Sequence, residues 1–492
     1  MKNHSDLQEL QDFLRAALCD PASPQQLAIS GSDEALSWLQ LSAAVTDWAQ
    51  RYQRCQPVAG TPVVLYGHQQ AEFAVAIYSC LLHNIPYIPV DCIYPQERLR
   101  EICSLASVPY YYDVATRQFI ATGEAGKVLE EQDLAYIMFT SGSTGKPKGV
   151  QIGRESVWHF MKWVSQDFSL PEKPVLMNHA VFSFDLSLIP LLANLAMGGH
   201  IVLNAKEDIQ KENWLERLKS NAVSAWVSTP SFAYQQLLSP QFNSEYLPAL
   251  SVFIFIGEVL NKALVKQLRR RFPQAKIINS YGPTEATIAT TVVEITDEIL
   301  NQDSAVLPVG VMMPESRMDI SAEGELIIWG KNVMRGYLGL PQENAAKLLR
   351  REDEAFRGYC TGDLGYLDDE GWLYIKDRSK DMINRGGEKI CSLERENILS
   401  TYRGVREVAV IPTPSPVYGE EPVAFIVPDG QHHLTSEEIL DWLKVKIARF
   451  KLPARIIFTR ALPRTHNGKV SKQQLKMRLA ESIITLSTED KK

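Results

Sequence analysis

The stretch from Tyr136 to Gly149, Tyr-Ile-Met-Phe-Thr-Ser-Gly-Ser-Thr-Gly-Lys-Pro-Lys-Gly, limits what this chain can be more than any other part of it. An apolar run at 134–139 breaks off into three glycines, four hydroxyls and two lysines. A buried strand that delivers such a loop suits a polyphosphate, because glycines leave backbone N–H groups bare and the side chains add further donors. The competing interpretation is a solvated Gly/Ser turn, which is a poor match for ten such residues behind an apolar strand. A Walker A loop is excluded, since that pattern follows its second glycine with Lys and Ser/Thr, and here Lys146 precedes Pro147.

Strand-like and helical runs alternate around this loop. Residues 62–66 precede a helical 72–83, 200–203 precede 214–220, and 252–256 lead through a helical 262–271 to 276–279. Alternation of this kind predicts parallel sheets covered by helices, an α/β fold, with ligand-binding loops at the carboxyl ends of strands. Residues 5–18 place Leu7, Leu10, Phe13, Leu14, Ala17 and Leu18 on one helical face. Past Lys380 the pattern changes to a compact α+β unit, with strands at 405–411, 422–427 and 454–458. A helix at 435–450 is opened by a capping box from Thr435 to Glu438. With 492 residues the chain needs more than one core. The expected division is a large domain at 1–379, a small one at 380–482 and a flexible polar tail at 483–492.

Charge and composition exclude several classes. A net charge of −7 argues against a nucleic-acid partner, which requires a basic face. Seven cysteines without paired spacing suit a reducing compartment, and no zinc-type spacing occurs. The polar first nine residues lack a signal core, and no window reaches the roughly 18 apolar residues of a span. A cytoplasmic protein without membrane insertion is expected.

The glycine-rich loop resembles the phosphate loop of adenylate-forming enzymes: acyl- and aryl-CoA ligases, luciferases and peptide-synthetase adenylation domains. Further segments similar to that family follow in its order. They are Tyr-Gly-Pro-Thr-Glu-Ala at 281–286, Gly-Glu-Leu-Ile-Ile-Trp-Gly at 324–330 and Tyr-Cys-Thr-Gly-Asp at 359–363. Arg-Ser-Lys-Asp at 378–381, Asn-Arg-Gly-Gly-Glu at 384–388 and Asn-Gly-Lys at 467–469 complete the set. The resemblance runs from about Leu39 to Leu475.

The chemistry this resemblance implies is attack of a substrate carboxylate on the α-phosphate of ATP, giving an acyl-adenylate and pyrophosphate. A carboxylate is already ionised at neutral pH, so catalysis reduces to alignment and charge neutralisation. By resemblance, Thr140, Ser141, Gly142, Ser143, Thr144 and Lys148 cradle the phosphates. Asn279 lies at the adenine edge, Tyr281 stacks on the base, Thr284 meets the α-phosphate and Glu285 holds Mg²⁺. Asp363 accepts the ribose hydroxyls, and Arg378 helps to hold ribose or phosphates with its fork of donors. The family usually has Gly before that Arg, and this chain has Asp377. Lys469 bridges the carboxylate and α-phosphate. The small domain is implied to be a mobile lid turning about Lys380, after which a thiol attacks the mixed anhydride. That thiol belongs to the phosphopantetheine of a separate carrier protein, with CoA as the alternative.

Asp185, in Phe-Ser-Phe-Asp-Leu-Ser at 182–187, bears on which acid is activated. Adenylation domains for α-amino acids carry an Asp here that pairs with the substrate ammonium, whereas aryl-acid enzymes carry a neutral residue. The alternative is an Asp capping the helix that follows. The large domain is most similar to D-alanyl carrier protein ligases, through 182–187, 228–232, 257–260 and 281–287; segments 384–389 and 448–453 look more like the aryl- and acyl-activating branch. The acid pocket carried over from the resemblance comprises Asp185, Leu186, Ile189, Val227, Ile254, Ile256, Gly257, Ser280, Ile288 and Ala289. Ile256 stands where the D-alanine enzymes carry Cys, and its branched side chain takes space from the ligand. Glycine is therefore favoured, D-alanine next. Modification of a cell-envelope polymer, lipid A or teichoic acid, is an implied use, and an aryl- or acyl-CoA ligase is the alternative enzyme.

Overall fold

A computed structural model of the chain describes residues 2–131, 133–141, 147–304, 306–351, 356–378, 383–385, 388–390, 392–415, 419–447, 451–465 and 468–489. Four sheets organise it. In the nine-stranded sheet six strands run parallel: Leu27–Ser30, His200–Leu203, Val175–Asn178, Ala225–Ser228, Val252–Phe255 and Lys276–Tyr281. The seven-stranded sheet has a parallel centre of Leu134–Ser141, Tyr87–Asp91, Val63–Gly67 and Tyr110–Asp113, closed by antiparallel edges. One extended core packs between these layers. Helix Ala71–Leu82 lies within it, and all of its residues are buried. A helix apolar on every side, as this one nearly is, has to be covered all round.

An antiparallel sheet including Ser316–Ile320, Glu325–Gly330, Arg357–Leu367 and Leu373–Arg378 follows. The small domain has its own five-stranded sheet, built on the long hairpin Val405–Ser415 and Gly419–Pro428. Alternate residues of these strands serve two separate cores: Val410, Ala424 and Ile426 on one face, Ala409, Ile411 and Phe425 on the other. The architecture is mixed α/β with a large amino-terminal and a small carboxyl-terminal domain.

Three expectations are modified. The strand before the phosphate loop continues to Ser141 and pairs antiparallel with Pro147–Gly153, putting Thr140 opposite Lys148. The helix expected over 435–450 is regular only over Ser436–Lys444. Its buried face ends at Leu443, and Val445 is 84 % exposed. The Thr435 hydroxyl accepts the Glu438 amide (3.3 Å) and donates to the Glu438 carboxylate (2.8 Å), so Glu438 reaches the hydroxyl and not the backbone. Helix Lys472–Glu489 is the last described element, and its Leu475 and Leu479 are buried.

Candidate functional site

The strand Lys276–Tyr281 is buried from Ile277 to Ser280 and then turns sharply through Gly282 and Pro283. Gly282 is required there, because a Cβ would stand 2.5 Å from Ala289 Cα. The turn leaves Tyr281, Thr284 and Glu285 at the carboxyl end of the sheet. The Tyr281 hydroxyl donates to Asp363 (2.7 Å), whose carboxylate is buried. Asp363 pairs across its sheet with Arg378. Asn279 donates its amide to the Pro308 carbonyl (2.7 Å).

Glu285 accepts the Tyr337 hydroxyl at 2.7 Å, with Tyr359 also bonded to it and the two phenols 3.3 Å apart. Burial, and then the charge of Glu285, push both phenols well above the ordinary tyrosine range, so they remain donors. Lys148 forms an ion pair with Glu343 (2.8 Å) and lies 5.5 Å from the centre of the Tyr337 ring. Phosphate-loop lysine, tyrosine and Glu285 thus form one connected group. Gly142, Ser143, Thr144 and Lys380 lie outside the described residues, as do the side chains of Ser141 and Arg378.

Asp185 begins a short 3-10 turn, Asp185–Ser187, ahead of helix Leu188–Met197, and is 6 % exposed. Thr284 and the Leu186 amide lie where they favour its charged form. Burial pushes its pKa up and Glu285 adds to the rise, while Thr284 and the Lys469 ammonium oppose it. The helix itself has Ser187 as its N-cap, without a side-chain cap bond. Leu186, Ile189, Val227, Ile254, Ile256, Ile288 and Ala289 are all buried and belong to the extended core of the large domain. Val227 neighbours Ile254 across adjacent strands. Ser280 donates its hydroxyl to the Thr291 carbonyl (2.6 Å) and so has its proton committed to the sheet. Thr287 and Ile288 take left-handed backbone angles, φ 59° and 70°. For β-branched residues these are strained conformations that surrounding structure must impose.

Lys469 comes from the small domain, and its ammonium lies 5.0 Å from the centre of the Phe184 ring. Gly257 (φ +88°) leaves room for its stem, since a Cβ there would be 3.2 Å from Lys469 Cε. Residues from both domains therefore meet at Asp185, Thr284 and Lys469. Among the described residues no three His, Cys, Asp or Glu side chains form a metal-ligating group. No described helix is long and apolar enough to cross a membrane. The sequence reasoning missed Phe184, Tyr337, Glu343 and Tyr359. Phe184 and Tyr359 lay inside quoted segments, but Tyr337 and Glu343 have no local pattern that marks them.

The AMP-binding enzyme family model matches residues 113–338, and the AMP-binding enzyme C-terminal domain matches 394–469. A D-alanine--D-alanyl carrier protein ligase of Bacillus licheniformis is 34 % identical over 496 aligned positions, covering 92 % of this chain and 96 % of the relative. One from Staphylococcus aureus is 33 % identical over 478, with the same coverage. Among solved structures, ATP-bound MatB from Rhodopseudomonas palustris superimposes with a TM-score of 0.80 at 21 % identity, covering 95 % of this chain and 98 % of that one. The four-domain peptide synthetase AB3403, bound to AMP and glycine, gives 0.79 at 22 %, covering 94 % of this chain and 36 % of that one.

Proposed function

Since the chain belongs to the AMP-binding, adenylate-forming enzymes and is an amino-acid adenylating ligase, we propose that its acid is glycine, with D-alanine next, and that the aminoacyl group passes to the phosphopantetheine thiol of a carrier protein. The observation that carries the choice of an amino acid is the buried Asp185 carboxylate in an aliphatic surround. Burial still raises the Asp185 pKa although Lys469 and Thr284 oppose it, so a substrate ammonium would further stabilise this buried carboxylate. The preference for glycine rests on Ile256, buried in the same cluster. A protein interior does not yield readily to an extra methyl group.

In the first half-reaction a carboxylate oxygen of the amino acid forms a bond to the α-phosphorus as the bond to pyrophosphate breaks. Thr140, Ser141, Gly142, Ser143, Thr144 and Lys148 hold the phosphates, Tyr281 and Asn279 the adenine, and Asp363 with Arg378 the ribose. Thr284 and Lys469 donate to the oxygens that gain charge. Glu285 is a suitable ligand for Mg²⁺, which takes few protein oxygens and relies on phosphates and water for the rest; when bound, the ion neutralises polyphosphate charge. In the second half-reaction the small domain acts as a lid, turns about Lys380 and withdraws Lys469. The thiol sulfur then attacks the acyl carbon and AMP leaves. A cell-envelope polymer is the proposed destination of the aminoacyl group.

Amino-acid-dependent pyrophosphate exchange with glycine, D-alanine, L-alanine and an aryl acid tests the assignment. Glycine is expected to give the highest kcat/KM, with leakage to alanine, because apolar pockets discriminate by only about 1–3 kcal/mol per methylene. Ile256→Ala is expected to raise the alanine/glycine ratio by improving alanine. A parent enzyme that prefers alanine overturns glycine, and one that prefers the aryl acid overturns the amino-acid class.

A further inference from the structure

Glu258 has no part in the chemistry above, yet its two carboxylate oxygens reach into different domains. Oε2 accepts the Ser231 amide at 3.1 Å, at the start of helix Pro230–Gln236 in the large domain. Oε1 accepts the Val470 amide of the small domain at 3.3 Å. Val470 directly follows Lys469. Next to it, Thr465 N donates to Lys469 O (2.7 Å), Gly468 N donates to Thr465 O (2.9 Å), and Arg464 bridges to Val470. The Arg464 guanidinium grips Gly468 O at 2.9 Å and Glu407 at 2.5 Å. Because Val470 is joined directly to Lys469, the Glu258–Val470 bond helps to fix where the Lys469 ammonium lies. The neighbouring Gly257 clears the path for the lysine stem.

We propose that Glu258 is a positioning residue for adenylation, a latch that holds the lid with Lys469 in the site. It lets go of Val470 when the lid turns for thiol transfer and keeps its bond to Ser231 throughout. This rests on the role given to Lys469 above. Glu258→Gln isolates the latch, because the amide oxygen can still accept from Ser231 while its NH₂ would face the Val470 N–H, donor against donor.

The test compares the two half-reactions with whichever amino acid the enzyme accepts. For Glu258→Gln the expected result is an approximately tenfold lower kcat for pyrophosphate exchange, the scale of one charge-assisted hydrogen bond lost. KM for ATP and amino acid should stay within about twofold, and thioester formation from supplied aminoacyl-adenylate should not change. The double variant with Lys469→Ala should be no slower than Lys469→Ala alone, because Glu258 acts through that lysine. Unchanged exchange, equal loss in both half-reactions, or a full additional loss in the double variant would each overturn the latch. Failure of the reading beneath it is visible separately: Lys469→Ala alone would then retain exchange, and the latch would fall with it.

Discussion

The two domains contribute to one site by opposite means. In the large domain the site residues are bonded to one another: Tyr281 to Asp363, Tyr337 to Glu285, Lys148 to Glu343. From the small domain comes the Lys469 ammonium, and beside it the Val470 amide bonds to Glu258 of the large domain. Prebuilt donors give orientation and stabilise charge without reorganising during the reaction. An element held by few contacts can leave once its step is done. The difference separates what must stay fixed for both half-reactions from what serves only one.

Lys469→Ala puts the most strain on this contrast. Exchange should drop a hundredfold or more, on the order of 3 kcal/mol or above, with ATP binding largely retained. Thioester formation from supplied adenylate should survive. Equal losses would show that the small domain serves both steps in one position.

Asp185→Asn comes next, because it lies where the two contributions meet. Removing the counter-charge of a buried ammonium costs about 2–4 kcal/mol, read as a large rise in KM for the amino acid. Stability should move the other way. Burial raises the Asp185 pKa in the fold, so its ionised form destabilises the empty protein at neutral pH. The asparagine variant should therefore melt higher at pH 7. That gain should shrink as the pH falls through the raised pKa and vanish below the ordinary carboxylate value. In the parent enzyme, amino-acid KM should begin to rise on acidification at a pH above the usual carboxylate range. An asparagine variant that keeps parental activity would make Asp185 a structural residue only.

Tyr337→Phe sharpens the contrast within the large domain. It removes one donor to Glu285 but leaves Tyr359. The cost should be about 0.5–1.5 kcal/mol, a roughly twofold to twelvefold rise in KM for Mg²⁺-ATP, with amino-acid KM unaffected. A matching rise for the amino acid would mean that Glu285 supports both substrates.

Much of this was legible from local pattern. Strand runs expected at 200–203, 252–256 and 276–279 are apolar stretches closed by turn residues, and parallel strands cover them except for Ile256, which lies just past Val252–Phe255. The segments carrying Asp185, Thr284, Glu285, Asp363 and Lys469 could be singled out through their resemblance, in order along the chain, to the motifs of adenylate-forming enzymes. Tyr337 and Glu343 could not, since their partners lie 52 and 195 positions away and only the sheet edge at Gly336–Tyr337 brings them in. Glu258 was hidden for the same reason, 212 positions from Val470. The early end of helix Ser436–Lys444 depended on what its next turn had to bury, which periodicity does not reveal.

The parallel pairing of Leu27–Ser30 with His200–Leu203 has a consequence for synthesis. A ribosome adding about 5–20 residues per second makes the first of these strands roughly 10–30 s before its partner. Helix Lys2–Cys19, whose Leu10 and Leu14 end fully buried, waits still longer for the Asp6–Lys331 ion pair. For that interval the strand has only its antiparallel neighbour Ala35–Ser37 and keeps its other edge open, and the amphipathic helix lacks part of its final cover. Chaperone demand should therefore be concentrated on the first 200 residues and fall once residue 203 has left the exit tunnel.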